Sequence, residues 1–304
     1  SPLDFTAIKI DCHQFIQRPT FRISLSLLAL DLNQGRNQAQ EMASKVRVTH
    51  IEDLRPPLEV TNPFIPAPVD FPKDQSFPRA FQETVKASPD NVIIVTNEGK
   101  EITRQQWWDT SRSVAKSLLH VGLKRFDGVN IMGFNSIEWF ATDVGGIMAG
   151  GVVSGIYTTN NAETCEYILH HSRTCAVFVE GKNNLEKIYK LKSKVPYLKA
   201  IVCWNVQKSD YPQGASETDI YSFEEFLKLG VDVADSTLDE IIASQTGDQC
   251  CSIVYTSGTT GMPKAAMISH DNTVWTAKIM GPAAHVSEDD VLVSFLPLSH
   301  VAAN

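Results

Sequence analysis

Residues 250–264 read CCSIVYTSGTTGMPK, in which an apolar run of strand length leads directly into a loop rich in hydroxyl groups and glycine. The apolar part, 250–255, is typical of a buried β-strand. Four hydroxyl side chains and two glycines follow within residues 256–261, and then the cation of Lys264. Glycine lets backbone N–H groups approach a ligand, while hydroxyls and lysine add further donors. The pattern predicts a loop that binds an anion with several oxygens, such as a polyphosphate.

This loop does not have the spacing of two common nucleotide-binding motifs. No G-x-x-x-x-G-K-[ST] register fits it, and no G-x-G-x-x-G stands between a strand and a helix. A flexible surface loop of serine, threonine and glycine is the alternative interpretation. The buried strand that enters the loop and the Pro263-Lys264 pair that ends it favour a binding loop.

Before this segment, from about Phe77, short apolar runs alternate with stretches of helical periodicity. The apolar runs predict strands at 129–134, 152–157, 175–179 and 199–204. The periodic stretches predict helices at about 103–122, 136–149, 162–171 and 184–194. This alternation predicts an α/β fold, in which a mostly parallel sheet is covered by helices on both faces.

Capping signals indicate where several helices begin. Two pairs of residues match the capping box, in which each member satisfies a backbone N–H group of the other: Thr103 with Gln106, and Ser222 with Glu225. Asn135 or Ser136 is expected to cap the helix that follows it. Residues 205–219 are polar and are interpreted as a loop, and 232–249 form a further polar stretch to which no element is assigned. Residues 1–76 contain several prolines without regular periodicity, and we interpret them as an extended leader of unknown role.

The composition limits the functional class. A hydrophobic fraction of 43% with 20% charged residues is typical of a globular protein in water, and a formal charge of −8 argues against broad nucleic-acid binding. No apolar run reaches the length of about 18 residues that a membrane-spanning helix requires. The six cysteines have no metal-ligand spacing, so no metal ligand is predicted. Cys250 and Cys251 are adjacent in an apolar run and are expected to be buried free thiols, and a reducing cytoplasm fits this composition.

Residues 255–264, YTSGTTGMPK, resemble without interruption the AMP-binding signature of the adenylate-forming superfamily. Other segments resemble the bubblegum group of long-chain acyl-CoA synthetases within that superfamily, namely 132–140, 149–151, 155–160, 269–272 and 296–303. The resemblance runs from about Phe77 to Asn304. It implies that 77–304 is part of the N-terminal AMP-binding domain of such an enzyme, and that 1–76 lies outside this domain.

The resemblance implies ATP-dependent activation of a long-chain fatty acid to acyl-CoA through an acyl-adenylate, with ATP, Mg²⁺ and coenzyme A. It assigns nucleotide binding to the loop residues Thr256, Ser257, Gly258, Thr259, Thr260, Gly261, Met262, Pro263 and Lys264. It places His300 near the carboxylate of the acid as the candidate catalytic residue, with a packing histidine as the alternative. A cytoplasmic location is expected, with peripheral attachment to the endoplasmic reticulum membrane as an alternative and no nucleic-acid partner.

Three departures from the family pattern affect this interpretation. Ala265 stands where the family usually has glycine, and Asn304 where it commonly has glutamine. The later elements of the family, including its C-terminal domain, are not among these 304 residues. The 304-residue chain alone is therefore expected to be inactive. A non-catalytic truncated isoform that at most binds nucleotide, and an adenylating enzyme for another carboxylic acid, are the alternative hypotheses.

Some other polar and aromatic residues have simpler interpretations. The lysines of one predicted helix are expected to form a solvated face, with an anionic membrane or the phosphates of CoA as alternative partners: Lys182, Lys187, Lys190, Lys192 and Lys194. His170 and His171 are expected to stabilise a helix C-terminus and not to bind a metal. Of the pair Trp107-Trp108, Trp107 is expected in the core.

Overall fold

The computed structural model describes residues 6–7, 75–216, 218–256, 262–283, 290 and 293–300, with the backbone alone for 6–7 and 279–283. Nearly all of the leader expected at 1–76 therefore lies outside the described residues. So do Asn304 and the loop residues 257–261.

The described strands include a central sheet and two short pairs. Their bounds are β1 (Thr6–Ala7), β2 (Val92–Val95), β3 (Glu101–Thr103), β4 (Gly128–Met132), β5 (Val152–Gly155), β6 (Thr174–Glu180), β7 (Ala200–Trp204), β8 (Ile220–Ser222), β9 (Cys250–Thr256), β10 (Lys264–Ser269) and β11 (Val293–Ser294). Seven strands form one sheet in the order β10-β9-β5-β4-β6-β7-β8, while β2–β3 and β1–β11 pair separately. Within the seven, only β10 is antiparallel to its neighbour. The prediction of a mostly parallel sheet is confirmed.

The helices pack on both faces of this sheet. Their bounds are α1 (Phe77–Ala87), α2 (Arg104–His120), α3 (Ile137–Met148), α4 (Ala162–His171), α5 (Gly181–Tyr189), α6 (Phe223–Leu229), α7 (Asp235–Ala243) and α8 (His270–Ala283). Short 3₁₀ turns are formed by Lys192–Lys194 and Lys208–Asp210.

Two separate hydrophobic cores result from the alternation of side chains along the strands. Ile131 of β4 belongs to the core formed with α2, α3, α6 and α7, whereas the next residue, Met132, belongs to the core formed with α4 and α5. Phe178 and Val179 of β6 are divided between the two cores in the same way. Complete burial of such side chains contributes about 1.5–3 kcal/mol each. The prediction that helices cover both faces is confirmed.

The predicted capping boxes are present at α2 and α6. Gln106 N–H donates to Thr103 Oγ1 at 3.2 Å, and Thr103 N–H donates to Gln106 Oε1 at 2.9 Å. Ser222 and Glu225 exchange the corresponding bonds. At α3 the capping residue is Ser136, whose Oγ accepts from Trp139 N–H, so Asn135 is not the cap and has another role.

One polar stretch contains a helix that the sequence did not predict. Residues 232–249 include α7, in which only Leu238 and Ile242 are buried. Such a short apolar stripe gives little helical periodicity. Gln245 then donates to the carbonyl oxygens of Ile147 and Met148 and so satisfies the C-terminus of α3.

The two adjacent tryptophans differ in burial. Trp108 is buried in the first core, whereas Trp107 is only half-buried and packs against that core through Phe81 and Phe140. Trp107, which was expected in the core, therefore lies at its border. Both side chains serve packing.

The lysines expected to form one basic helix belong to α5 and the 3₁₀ turn after it, and most of them have acidic or carbonyl partners. Lys182 pairs with Asp210, Lys194 with Glu166 and Lys192 with Asp219. Lys187 donates to the carbonyl oxygens of Thr158 and Asn160. The positive charges are thus locally compensated, which reduces their attraction for an anionic membrane. In the described part of the chain, no helix is both long and apolar enough to cross a membrane.

Candidate functional site

The site is formed at the carboxyl ends of three neighbouring parallel strands. Ser154 of β5 pairs with Asn130 of β4 on one side and with Ile253 of β9 on the other. Because adjacent strands are about 4.8 Å apart, the segments that follow these strands meet at one edge of the sheet. In open α/β sheets this edge is the usual position of a ligand.

The hydroxyl- and glycine-rich loop leaves the sheet at this edge. Thr256 ends β9 and pairs directly with Lys264, the first residue of β10, and Thr256 Oγ1 donates to the carbonyl oxygen of Lys264 at 3.4 Å. The side chains of Thr256, Met262 and Lys264 are exposed, while Pro263 is half-buried. Residues 257–261 lie outside the described part, so the hairpin places the two ends of the loop but not its donors.

The strand that enters the loop is held by a part-buried hydrogen bond. The hydroxyl oxygen of Tyr255 lies 2.9 Å from Nδ1 of His171, at the end of α4. Burial raises the pKa of Tyr255 above its ordinary value, so the phenol stays protonated. Tyr167 also stacks with the His171 ring, at 5.4 Å between ring centroids. His171 is therefore more than a stabilising charge at a helix end, because it anchors the residue that precedes the loop.

Ala265 occupies the interior of β10, directly opposite Tyr255. It is half-buried and packs against the second core. Because glycine inside a strand costs about 0.5–1 kcal/mol relative to alanine, the alanine favours a firm hairpin here. The departure from the family pattern therefore has a packing explanation in this chain.

A second segment, residues 294–300, crosses the same edge and carries His300. Leu298 is 2% exposed and enters the first core. A Cβ atom added to Gly155, the last residue of β5, would lie 2.6 Å from the Cα and Cβ atoms of Ser299, so the two backbones approach as closely as glycine permits. The side chain of His300 is exposed immediately after this contact. Both predicted parts of the site thus lie at neighbouring strand ends.

Asn135, three residues after β4, binds this second segment with its whole amide group. Its Nδ2 donates to the carbonyl oxygen of Leu296 at 2.7 Å and to both oxygens of Ser294, and its Oδ1 accepts from Leu298 N–H at 3.0 Å. The sequence interpretation considered Asn135 only as a helix cap. No local signal could have found this role, because its partners lie about 160 positions further along the chain.

A metal site is not evident in the described ranges. Among those residues, no three histidine, cysteine or acidic side chains are grouped closely enough to hold a metal ion. Five cysteines, Cys165, Cys175, Cys203, Cys250 and Cys251, are buried free thiols, which confirms the expectation for Cys250 and Cys251; Cys12 lies outside the described residues. Burial raises the pKa of the Cys175 thiol to about 11 and that of Cys250 to about 12, so these thiols are poor nucleophiles.

Comparison with known families agrees with this arrangement. Residues 81–304 match the sequence model described as AMP-binding enzyme. The chain belongs to the AMP-binding enzyme family. This match confirms that the loop signature belongs to the family. The curated relatives are enzymes, as their names state.

Curated relatives of this AMP-binding chain include long-chain-fatty-acid–CoA ligases. ACSBG2 of Xenopus laevis is 42% identical over 230 residues, which are 73% of this chain and 30% of that protein. ACSBG1 of Rattus norvegicus is 43% identical over 208 residues, which are 67% of this chain and 28% of that protein. The resemblance to the bubblegum group is confirmed. The chain spans about a third of the length of the curated relatives it matches.

Solved structures with a similar fold include two CoA ligases. The anthranilate CoA ligase AuaEII in complex with anthranoyl-AMP has a TM-score of 0.57 at 23% identity, over 70% of this chain and 38% of that one. A long-chain-fatty-acid CoA ligase described as putative, from Rhodopseudomonas palustris, has a TM-score of 0.61 at 17% identity, over 76% and 53% of the two chains. At these identities the similarity establishes the fold of the AMP-binding chain.

Proposed function

We propose that the protein containing this chain activates long-chain fatty acids to acyl-CoA, and that these 304 residues supply the binding site for the phosphates of ATP. The observation that carries the proposal is the pairing of Thr256 with Lys264, which holds the signature loop at the carboxyl edge of the sheet. The ligase relatives, about 40% identical, support the long-chain acid as the substrate. The proposed domain division is a leader at 1–76 and part of the AMP-binding domain at 77–304.

The proposed reaction has two steps. A carboxylate oxygen of the acid attacks the α-phosphorus of ATP, which forms the acyl-adenylate and releases pyrophosphate. The thiol of CoA then attacks the acyl carbon, which forms the thioester and releases AMP. In the first step, negative charge increases on the leaving pyrophosphate, and the hydroxyl and N–H groups of 256–263 with the Lys264 cation would stabilise it.

His300 has the proposed role of orienting the acid. It follows Ser299, which lies against Gly155 at the end of β5. Strand β5 is next to β9, the strand that leads into the phosphate loop. A group at this position can face a carboxylate while the loop holds the phosphates. Keeping the two reactants oriented at adjacent points is a large part of catalysis in adenylate formation, because it removes the entropy cost of their encounter.

Magnesium is proposed to arrive with the nucleotide, because Mg²⁺ commonly binds through substrate phosphates with few protein carboxylates. When bound in that way it would neutralise phosphate charge.

A cytoplasmic location, with peripheral attachment to the endoplasmic reticulum membrane as the alternative, belongs to the same proposal.

Two measurements test the proposal. The first is equilibrium binding of ATP to the 304-residue chain, its Lys264→Ala variant and a Lys100→Ala control in the exposed turn between β2 and β3. The second is exchange of labelled pyrophosphate into ATP by the protein containing this chain, with acids of graded length. Loss of a charge-assisted contact at Lys264 should weaken ATP binding about tenfold to a hundredfold.

The expected results are a specific loss in Lys264→Ala, no change in Lys100→Ala, and exchange that depends on a long-chain acid. Because the matched region is about a third of each relative, we propose that the 304 residues bind ATP without forming acyl-CoA by themselves. Equal ATP binding by all three proteins would contradict the phosphate site. Exchange that requires a short or aromatic acid would contradict the proposed substrate.

A further inference from the structure

A single side chain fixes the path of the segment that carries His300. Asn135 uses both amide hydrogens and its carbonyl oxygen on residues 294–298, at distances between 2.7 and 3.0 Å. An asparagine side chain has two N–H donors and one carbonyl acceptor. All three functions are therefore engaged with the same short segment.

The anchoring of this segment has three parts that lead toward His300. Asn135 binds the backbone at Leu296 and Leu298, and the Leu298 side chain is buried in the first core. Ser299 then rests against Gly155. Finally, His300 N–H donates to the carbonyl oxygen of Pro297 at 2.8 Å, which closes a tight turn. The backbone of His300 thus has little freedom as long as the asparagine bonds are intact.

Asn135 itself is held at a fixed position relative to the sheet. It lies between strand β4 and helix α3, and Ser136, the next residue, caps that helix. On its other side, Phe134 N–H donates at 2.6 Å to Oε2 of Glu180, the last residue of β6. The turn that presents the amide group is therefore attached to two strands and a helix, which makes it a rigid support.

We propose that Asn135 is a positioning residue of the active site, which holds residues 294–300, and with them His300, against the carboxyl ends of β4 and β5. This proposal rests on the proposed function for its kinetic consequence. Asn135 itself does not contact a substrate in this role. It acts on the acid through the segment, so its loss should affect use of the acid more than use of ATP.

The structural arm of the test is hydrogen exchange in Asn135→Ala, Asn135→Asp and the control Thr103→Ala. The aspartate variant keeps the shape and the acceptor for Leu298 N–H but loses both N–H donors. The control removes the side-chain cap of α2, which is not part of the support of Asn135. We expect amides of 294–300 to exchange at least tenfold faster in both Asn135 variants, with β9 and β10 unchanged, and no change in 294–300 in Thr103→Ala.

The kinetic arm uses acid-dependent pyrophosphate exchange by the protein containing this chain. For Asn135→Ala we expect kcat/KM for the acid to fall at least tenfold, with KM for ATP within twofold of the starting protein. Added to His300→Ala, the Asn135 change should cause little further loss, because both act on one group. Thr103→Ala should lower thermal stability while leaving these constants unchanged.

The outcomes separate this proposal from the function on which it rests. Unchanged exchange of 294–300 in both Asn135 variants would overturn the proposal, as would a fully additive effect with His300→Ala. Absence of acid-dependent exchange in the starting protein would instead contradict the proposed function. In that case the hydrogen-exchange result still decides whether Asn135 holds the segment.

Discussion

Nδ1 of His270 accepts a hydrogen bond from the backbone N–H of Phe77 at 3.2 Å. The first residue of α8 is thus joined to the first residue of α1, across 193 positions of sequence. To accept this bond, Nδ1 must carry no proton, so the ring is neutral with its hydrogen on Nε2. Burial, followed by the nearby charge of Arg125, lowers the pKa of His270 from 6.5 to about 4, while Asp248 acts in the opposite direction.

This bond predicts a loss of stability in acid. The unfolded chain takes up the His270 proton near pH 6.5, whereas the folded protein does so only near pH 4. The contribution of neutral His270 to the free energy of unfolding is therefore complete above pH 6.5. It decreases by about 3 kcal/mol in total as the pH falls toward 4. His270→Asn keeps an acceptor near Nδ1 and does not titrate, so its unfolding free energy should depend less on pH in this range.

Denaturant unfolding from pH 7 to pH 4 measures the effect, with His120→Asn on the exposed end of α2 as the control. Asp143 contributes in the opposite direction, because burial raises its pKa to about 7. Since it is present in all three proteins, the comparison between them isolates His270. Equal pH dependence in the His270 variant and the starting protein would contradict the assignment.

The hydrogen bond between Tyr255 and His171 predicts a specific cost for removing one hydroxyl group. Tyr255→Phe should lower the unfolding free energy by about 0.5–1.5 kcal/mol, because the hydrogen bond to the half-buried His171 is lost. Tyr197→Phe is the matched control, since Tyr197 is 45% exposed and its ring still stacks with Arg173. Chemical unfolding at pH 7 gives both values. A cost in the control as large as that in Tyr255→Phe would show that the bond is not responsible.

The buried amide of Asn130 joins three central strands. Its Nδ2 donates to Ser154 Oγ at 2.5 Å, and its Oδ1 accepts from the hydroxyls of Ser172 and Thr174. Asn130→Ala removes these bonds and leaves a small cavity, so it should cost about 2–4 kcal/mol. The exposed Asn91→Ala should cost less than about 0.5 kcal/mol. Thermal and denaturant unfolding measure the stability of both variants. Equal stability of the two would contradict the stabilising role of the Asn130 hydrogen bonds.

Lys187 predicts a local effect on the loop that follows β5. Its ammonium group donates to the carbonyl oxygens of Thr158 at 3.1 Å and Asn160 at 2.8 Å. Lys187→Met keeps the apolar stem but loses both bonds, so amides in 158–164 should exchange about tenfold faster. Lys190→Met, at an exposed position just after α5, is the control. Identical exchange in the two variants would mean that the lysine does not hold the loop.

The sequence predicted those parts of the fold that depend on near neighbours. In the capping box, Thr103 and Gln106 are only three positions apart. Helix 162–171 has the predicted bounds. Helix α7 was missed because its two buried residues, Leu238 and Ile242, fall within a polar stretch. The pairing of Lys182 with Asp210, 28 residues away, had no signal in the local charge pattern.

The site was only partly predictable for the same reason. The chemistry of the loop is a property of consecutive residues and can be recognised from them. Its place beside residues 298–300 depends on β9 lying next to β5, although Ser252 and its partner Val153 are 99 positions apart. The roles of Asn135 and Gly155 arise from that strand order and not from their own neighbours.

The buried cysteines provide a natural set of chemical labels for following how the molecule opens. Cys175 and Cys251 belong to the first core, while Cys165, Cys203 and Cys250 belong to the second. Because a buried thiol reacts with an alkylating reagent only after exposure, the rate at each site reports the opening of its own layer. Mass mapping of the alkylated peptides would therefore show whether the two sides of the sheet separate together or one before the other.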